Sequence, residues 1–378
     1  MKDRPVWTHR IADAWSRRPI CWLQGVRRAG KTVLARSIAD VEYFDCELPS
    51  VRRDLRDPEG FLEAFKDRRI VLDEIHRLDE PAEMLKIAAD HFPGIRILAT
   101  GSSTLGARAK FRDTLAGRKA EVWLTPMTHA DGVAFGAPSI VHRMERGGLP
   151  PFFVAAEASG RDYQEWLDAY WAKDVQELFR LEKRAPFARL FELLLTDSGG
   201  IFEATRYARA CEISRQTVVN YLEVLEATFV MHVVRPFASN TSAEIVAAPR
   251  VYGFDTGFIA YHRGWSPLRR DDYGSLWEHL VLNELHAARQ TRDVQYWRTK
   301  TGHEVDFVLA PKRNKPIAIE CKWSQDAFDA TGMLAFRDRY PGGENILVAS
   351  DVKRTSTRRV KGLDVRVVGL THLAELVA

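Results

Sequence analysis

A glycine-rich stretch near the start of the chain has the residue types and spacing of a phosphate-binding loop. Gly25, Gly30, Lys31 and Thr32 stand in the order G-x-x-x-x-G-K-T, with Arg28 between the glycines. Glycine allows a tight turn that brings main-chain N–H groups close to an anion. The lysine suits the β- and γ-phosphates, and the threonine hydroxyl suits a Mg2+ ion. The motif predicts ATP binding with Mg2+, and we include Arg28 among the nucleotide-binding candidates.

Two acidic residues end a second apolar run downstream of this loop. The segment 69–76 reads R-I-V-L-D-E-I-H, which predicts a strand that ends at Asp73 and Glu74. In an ATPase, Asp73 would hold Mg2+ through water, and Glu74 would polarise the attacking water. The alternative is a strand that ends in a turn with two exposed acids. The position after a phosphate-binding loop favours the ATPase interpretation.

Three further polar residues follow in the same region. Thr100 or Ser102, at the end of the predicted strand 95–100, could sense the γ-phosphate, or either could cap a helix. Arg118 ends the basic segment 108–118 and could act as an arginine finger on the ATP of a neighbouring subunit. That role requires a homo-oligomer. The alternative is a surface arginine.

A second set of charged residues lies in the last third of the chain. Glu278 falls in a predicted helix, Asp306 in a predicted strand, and Glu320 and Lys322 in the strand after it. Because side chains alternate along a strand, Glu320 and Lys322 project from the same face. Carboxylates and a lysine at one edge of a sheet predict a site for Mg2+ or Mn2+ that could act on a phosphodiester. The alternative is a fold in which the acids only pair with the lysine.

The middle of the chain has the pattern of a helix-turn-helix. Residues 204–226 predict two helices joined by a short turn, with Ser214 as the cap of the second helix, and a strand follows. This is the outline of a winged helix, in which Arg215, Gln216 and Asn220 would face bases or phosphates of DNA. A winged helix used for protein packing or oligomerisation remains equally open.

The order of predicted elements indicates an α/β protein. Strands and helices alternate through the first region, which predicts a doubly wound parallel sheet with the nucleotide at the carboxyl ends of the strands. The breaker cluster Gly147–Pro151 marks a boundary. We predict an ATPase domain at 1–140, a helical and winged-helix region at 145–265, and a C-terminal α/β domain at 270–378.

Composition supports a globular protein. The chain has 378 residues, of which 46% are hydrophobic and 28% charged, and a net charge of +4. The four cysteines are scattered without a C-x-x-C pair, which argues against a structural zinc site or a disulfide framework. No signal-peptide pattern and no apolar run of membrane-spanning length is present, so we expect a cytoplasmic protein without a membrane partner.

These motifs together resemble a family. The chain is similar, over nearly its whole length, to bacterial and archaeal single-chain ATPases of the AAA superfamily that carry a C-terminal domain of unknown function. The matching motifs are G-x-R-R-x-G-K-T at 25–32, L-D-E-I at 72–75, T-G-S-S at 100–103, G-R at 117–118, L-T-P-M at 124–127, V-Y-G-F-D-T-G at 251–257, W-E at 277–278 and W-R-T-K-x-G-x-E-V-D-F at 297–307.

The resemblance implies an AAA-type ATPase core, a winged helix and a restriction-endonuclease-like module of the PD-(D/E)xK type. That module is similar to archaeal Holliday-junction resolvases in its arrangement of Glu278, Asp306, Glu320 and Lys322. Arg118 carries over as the finger candidate. One departure is Met127 followed by H-A-D-G at 129–132, where the family usually has a leucine and then an acidic-aromatic pair.

Three functions follow from this combination. The first is an ATP-driven enzyme that processes DNA, either branched or single-stranded, with a metal-dependent nuclease site. The second is a regulatory ATPase switch in which the winged helix and the C-terminal module are interaction surfaces. The third is an ATPase that binds DNA and whose nuclease-like site is silent.

Overall fold

The structure is a computed structural model of the 378-residue chain. It describes residues 3–101, 114–136, 139–155, 159–176, 179, 181, 183–237, 248–310 and 315–377. Ser102 and most of the basic segment 108–118 lie outside the described residues.

The first region forms the predicted parallel sheet. Its five strands are β1 (Ile20–Gln24), β2 (Glu42–Asp45), β3 (Arg69–Asp73), β4 (Arg96–Thr100) and β5 (Lys119–Trp123). Their order is β2-β3-β4-β1-β5, and every neighbouring pair is parallel. All five carboxyl ends therefore lie at one edge, where the loop after β1 and the acids that end β3 come together.

Five helices accompany this sheet: α1 (Pro5–Arg17), α2 (Lys31–Ser37), α3 (Pro49–Asp54), α4 (Pro58–Ala64) and α5 (Pro81–His91). Apolar side chains fill both faces of the sheet, since Cys21 and Leu23 of β1 belong to one core cluster and Ile20 and Trp22 to another. Helix α4 ends at Ala64, and Asp67 adopts a left-handed backbone with φ 63°. An α-helix cannot continue through that conformation.

Helices dominate the middle of the chain. They are α6 (His129–Ala134), α7 (Ile140–Arg146), α8 (Pro150–Val154), α9 (Gly160–Tyr170), α10 (Arg184–Thr196), α11 (Ala204–Cys211) and α12 (Arg215–Ala227). Helix α9 ends at Tyr170 and continues as a π-helical turn, Trp171–Gln176. The predicted cap of α12 is present, because Ser214 Oγ accepts the Thr217 N–H at 3.0 Å.

A mixed sheet occupies the rest of the molecule. Its eight strands are β6 (Met231–Pro236), β7 (Arg250–Gly253), β8 (Gln295–Arg298), β9 (Glu304–Leu309), β10 (Ile317–Lys322), β11 (Asn345–Ala349), β12 (Ser356–Val360) and β13 (Leu363–Val368), in the order β12-β13-β11-β10-β9-β8-β6-β7. Because β6 pairs with β8, this sheet crosses the boundary placed between 265 and 270 from the sequence. The strand predicted after the helix-turn-helix is thus part of the same sheet as Asp306 and Glu320.

Four helices complete the C-terminal part: α13 (Thr256–His262), α14 (Tyr273–Arg289), α15 (Thr331–Arg339) and α16 (Leu370–Val377). Helix α14 carries Glu278 to the mixed sheet, and the indole of Trp277 fixes it there by donating to Val348 O at 3.0 Å. Within the described part of the chain, no helix has the length and apolar character needed to cross a membrane.

Candidate functional site

The loop between β1 and α2 has the backbone of an anion-binding turn. Gly25 has φ 147° and Gly30 has φ 99°, both in the range that favours glycine. A Cβ at Gly25 would lie 2.2 Å from Leu124 O, so the loop packs directly against the segment after β5. Gly30 is the residue before α2, and the N-terminal N–H groups of that helix end at the loop.

Lys31 lies at the centre of this loop. Its Nζ donates to Gly25 O at 2.8 Å and to Val26 O at 3.2 Å. Burial lowers the pKa of Lys31, and the negative charges of Glu74 and Asp174 act in the opposite direction. The ammonium group is therefore held by neutral carbonyls, which phosphate oxygens could replace.

The two predicted acids lie beside the loop, at the end of β3. Asp73 is buried and accepts hydrogen bonds from the hydroxyls of Thr100 and Tyr43. Glu74 has a left-handed backbone, φ 54°, and lies 3.1 Å from His76 Nδ1. Burial raises the pKa of Glu74, but the hydrogen bond from His76 and the charge of Lys31 prevail and lower it. Glu74 is therefore ionised at neutral pH, as a proton acceptor must be.

Thr100 contacts both acids. Its hydroxyl donates to Asp73 and accepts the Glu74 N–H at 3.1 Å. Thr100 is the last residue of β4. The role of γ-phosphate sensor stays a prediction for Thr100 and for Ser102.

A cavity of about 580 Å3 lies over these groups. Arg28, Gly30, Lys31, Thr32 and Glu74 line it. The sequence did not indicate the other wall, which comes from the helical region: Phe135, Pro150, Pro151, Val154, Lys173 and Asp174. Asp174, in the π-helical turn, lies 3.4 Å from Arg27 of the loop. The helical region therefore closes the nucleotide cavity of the first sheet.

Arg118 lies apart from the cavity of its own chain. Its guanidinium donates to Asp90 at 2.6 and 3.0 Å, and its side chain is 33% exposed. An arginine finger acts on a neighbouring subunit, so its role in a homo-oligomer stays a prediction.

The three predicted DNA-contacting residues lie in the first half of α12. Gln216 Nε2 donates to Asn220 Oδ1 at 2.9 Å, and Arg215 and Asn220 line an open groove of about 940 Å3. Lys183 and Arg209 line the same groove. The groove is accordingly basic, with Glu212 as the one acid among its described lining residues.

The second set of charged residues also comes together, on the mixed sheet. Lys322 Nζ donates to Glu320 Oε1 at 2.8 Å, and Asp306 Oδ2 accepts the Cys321 N–H at 2.8 Å. Burial and the charge of Asp306 raise the pKa of Glu278 to about 7 and that of Glu320 to about 8. The three carboxyl groups therefore share one electrostatic environment, which we call the acidic site.

Two residues of the acidic site escaped the sequence analysis because they come from β7. Tyr252 donates its hydroxyl to Glu278 Oε1 at 2.5 Å. Arg250 Nη2 donates to Glu304 at 2.7 Å, and Nη1 lies 3.6 Å from Glu278. An arginine two residues before a tyrosine in an apolar strand places both on one face, which is the signal that could have found them.

The carboxylates of this site are engaged with protein partners. Within the described ranges, no group of three or more His, Cys, Asp or Glu side chains is arranged to hold a metal ion. One atom stands out, since Glu320 Oε2 is buried without a hydrogen-bond partner among the described residues. The donors suit Mg2+ or Mn2+ in kind, but a bound ion would require Glu278 to exchange its present partners.

Family models cover most of the chain. Residues 17–131 match a model described as an AAA domain. This part of the chain has an AAA-type P-loop fold. Residues 138–269 and 273–368 match two models that are each described as a domain of unknown function, DUF8612 and DUF4143.

Curated relatives and solved structures are similar to longer parts of the chain. Two uncharacterised proteins, from Mycobacterium bovis and Mycobacterium tuberculosis, are each 29% identical over 326 residues, which is 83% of this chain and 72% of the relative. A signal-transduction ATPase with a tetratricopeptide repeat sensor from Pyrococcus horikoshii shares 9% identity at a TM-score of 0.30, over 76% of this chain and 47% of that protein. DnaA from Aquifex aeolicus, bound to AMPPCP, shares 15% identity at a TM-score of 0.30, over 58% of this chain and 86% of that chain. This chain thus spans about half of the signal-transduction ATPase that it matches.

Proposed function

We propose that the protein binds and hydrolyses ATP with Mg2+ at the P-loop and couples turnover to branched or single-stranded DNA. The observation that carries the ATPase proposal is the convergence of Lys31, Thr32 and Glu74 on one cavity, with Asp73 directly behind them. A hydroxyl and a carboxylate at this place are the ligand types that Mg2+ takes in P-loop enzymes.

The chain's own groups account for the reaction. Lys31 would leave the carbonyls of Gly25 and Val26 for the β- and γ-phosphate oxygens. Bound Mg2+ would offset the charge of those phosphates. Glu74 would accept a proton from the water that attacks the γ-phosphorus, and the bond from that phosphorus to the bridging oxygen of ADP would break.

We further propose that the acidic site hydrolyses DNA phosphodiesters. The supporting observation is a lysine–carboxylate pair, Lys322 and Glu320, beside a buried Asp306, with one oxygen of Glu320 left without a partner. Glu278, Asp306 and Glu320 would hold Mg2+ or Mn2+, which would polarise the scissile phosphate and lower the pKa of water. Lys322 would steady the negative charge that develops on the phosphate oxygens.

The groove beside α12 supplies a surface for DNA. Lys183, Arg209 and Arg215 place three cations on one open concave face. Cationic side chains that contact phosphates release counterions, so the affinity for DNA should fall steeply as salt rises. An affinity that does not depend on salt would contradict the DNA proposal.

The decisive experiment follows ATP consumption and DNA cleavage in the same reactions. Purified protein is incubated with labelled junction, forked or duplex DNA, with and without ATP, Mg2+ and Mn2+. We expect DNA to stimulate ATP turnover and Glu320→Gln to abolish cutting, while Glu375→Gln, an exposed glutamate on α16, leaves both unchanged.

A regulatory switch is the competing function, and the same reactions distinguish it. The contact between Glu74 and His76 and the internal hydrogen bonds of Lys31 favour a slow resting state. If the rate of ATP hydrolysis is the same with and without DNA, and ATP changes the mass of the protein assembly in solution, the results support the switch and contradict DNA processing. If DNA stimulates ATP hydrolysis but no DNA is cleaved, the nuclease-like site is catalytically silent.

A further inference from the structure

Arg250 is a charged residue that the proposed chemistry has not used. It begins β7, is only 8% exposed, and reaches from that strand into the acidic site. Its guanidinium also lies over the ring of Tyr296, 5.0 Å from the centroid. The residue is thus fixed in position, with its planar group among carboxylates.

The hydrogen bonds of this guanidinium are incomplete. The guanidinium is hydrogen-bonded to Glu304, from Nη2 at 2.7 Å, and to the hydroxyl oxygen of Tyr252, but Nη1 lies 3.6 Å from Glu278, beyond a good hydrogen bond. The Nε–H is buried without an acceptor in the described part of the chain. A buried arginine that served only the fold would be expected to have its N–H groups satisfied.

The charges of the acidic site do not balance. Four carboxyl groups, those of Glu278, Glu304, Asp306 and Glu320, face three cations, Arg250, Arg298 and Lys322. When all are ionised, the carboxylates outnumber the cations by one, so the site carries a surplus of negative charge. Lys322 forms an ion pair with Glu320, and Arg250 forms ion pairs with Glu278 and Glu304.

The rim of the site is open on the side of Arg250. Its main partner, Glu304, has a side chain that is 40% exposed and lies 3.8 Å from a second arginine, Arg298. Glu304 is the more exposed partner of this pair, so its carboxylate can be solvated when it leaves the buried guanidinium. A phosphate group matches the planar fork of an arginine better than a carboxylate that is held at one side only.

We propose that Arg250 is a phosphate-binding residue of the acidic site, which takes the non-bridging oxygens of a DNA phosphodiester and pairs with Glu278 and Glu304 when DNA is absent. This inference rests on the proposed nuclease function. It also explains why the carboxylates are not arranged around an ion, because the guanidinium pairs with the carboxylate of Glu278. Tyr252 is the positioning residue that holds Glu278 beside it.

The proposal makes the binding of DNA and of a divalent cation cooperative. DNA withdraws the guanidinium from Glu278, and the carboxylate then becomes available to the ion. Coupling between two ligands is reciprocal, and its usual size is about 5- to 150-fold in affinity. We expect DNA to tighten Mn2+ binding by about tenfold within this range.

The experiment measures Mn2+ binding to the full-length protein by titration calorimetry, with and without duplex DNA. The binding assigned to the acidic site is the binding that is present in wild type and absent in Glu320→Gln. In Arg250→Gln, Mn2+ should bind several-fold more tightly without DNA, and DNA should no longer improve it. Arg250→Lys keeps the charge but not the fork, so it should retain cation binding and lose much of the DNA affinity. Arg354→Gln, an exposed arginine before β12, makes the same charge change and should behave as wild type.

Each result decides a different claim. If wild type binds no Mn2+ that Glu320→Gln removes, the proposed nuclease site fails and this inference fails with it. If that Mn2+ binding is present and DNA improves it equally in Arg250→Gln, only this inference fails. If Arg250→Gln weakens Mn2+ binding and lowers the melting temperature, and Arg250→Lys restores both without loss of DNA affinity, the residue is structural and the proposal is overturned.

Discussion

The P-loop site and the acidic site differ in the groups that stabilise their buried charges. At the P-loop, the ammonium of Lys31 is held by main-chain carbonyls of its own loop. At the acidic site, charged side chains from four elements, β7, α14, β9 and β10, hold one another. At the P-loop the backbone is preformed and only the Lys31 side chain exchanges its carbonyl partners for phosphate oxygens, whereas at the acidic site several ion pairs must exchange partners. The first should bind its ligand alone, and the second should need its substrate to assemble.

The largest expected effect separates binding from turnover at the P-loop. Glu74→Gln removes the proton acceptor and leaves Lys31 and the loop in place. We expect ATP to bind with unchanged affinity, while turnover falls about 100- to 10,000-fold, the range for loss of general-base catalysis. Calorimetry and a phosphate-release assay measure the two quantities.

Glu83→Gln is the matched control for this prediction, because Glu83 is exposed on α5 and makes no contact with the cavity. A Glu74→Gln protein that hydrolyses ATP at the wild-type rate would show that another group accepts the proton.

The same difference between the two sites determines how much of each could be predicted from the sequence. The loop 25–32 and the acids 73 and 74 are contiguous motifs at strand ends, so local pattern was enough to find them. The second site could be predicted only with an assumed order of strands, since its residues are far apart in sequence. Each of them stood out as a charge in an apolar element: Glu278, Asp306, Glu320 and Lys322. For Arg250 the spacing to Tyr252 in an apolar strand gave a shared face, but tertiary packing alone brings that face to Glu278. Asp174 could not be assigned, because the π-helical turn that presents it has no sequence signal that we recognise.

A second prediction tests whether the two sites are independent. Asp255 is buried, and it accepts the Gly148 N–H at 2.5 Å and the Gly257 N–H at 2.9 Å. Gly148 adjoins the segment that closes the nucleotide cavity, and Asp255 follows β7 with Arg250. Asp255→Ala should lower the free energy of unfolding by about 2 kcal/mol through the lost cap and hydrogen bonds.

The same variant should also weaken ATP binding and the DNA-dependent binding of Mn2+ together. Chemical denaturation and calorimetry measure these effects, with Asp54→Ala, at an exposed position of α3, as the control. A change in only one of the two sites would show that Asp255 does not connect them.

The smallest predicted effect concerns the joint between the two sheets. His286 of α14 packs on Trp123 of β5, with ring centroids 4.9 Å apart, and on His232 of β6 at 4.6 Å. Burial and the charge of Arg292 lower the pKa of His286 to about 3. Because the unfolded chain takes up a proton near pH 6.5 and the folded chain does not, stability is full above that pH and falls as pH decreases below it.

From pH 6.5 to pH 5.5 this loss amounts to about 1 kcal/mol for each such histidine. His286→Phe keeps the ring and removes the titrating group, so its melting temperature should depend less on pH in this interval. Scanning calorimetry of wild type and His286→Phe checks the difference. Identical pH dependence would show that His286 remains neutral in both states or titrates in both.

The account depends most on the P-loop, and titration of ATP and Mg2+ into wild type and Lys31→Ala tests it directly. We predict a saturable heat for wild type and its loss in Lys31→Ala, since Lys31 is the cation that we assign to the β- and γ-phosphates and it lines the cavity beside the loop carbonyls. Equal heats from both proteins, or none from either, would contradict an ATP site at this loop.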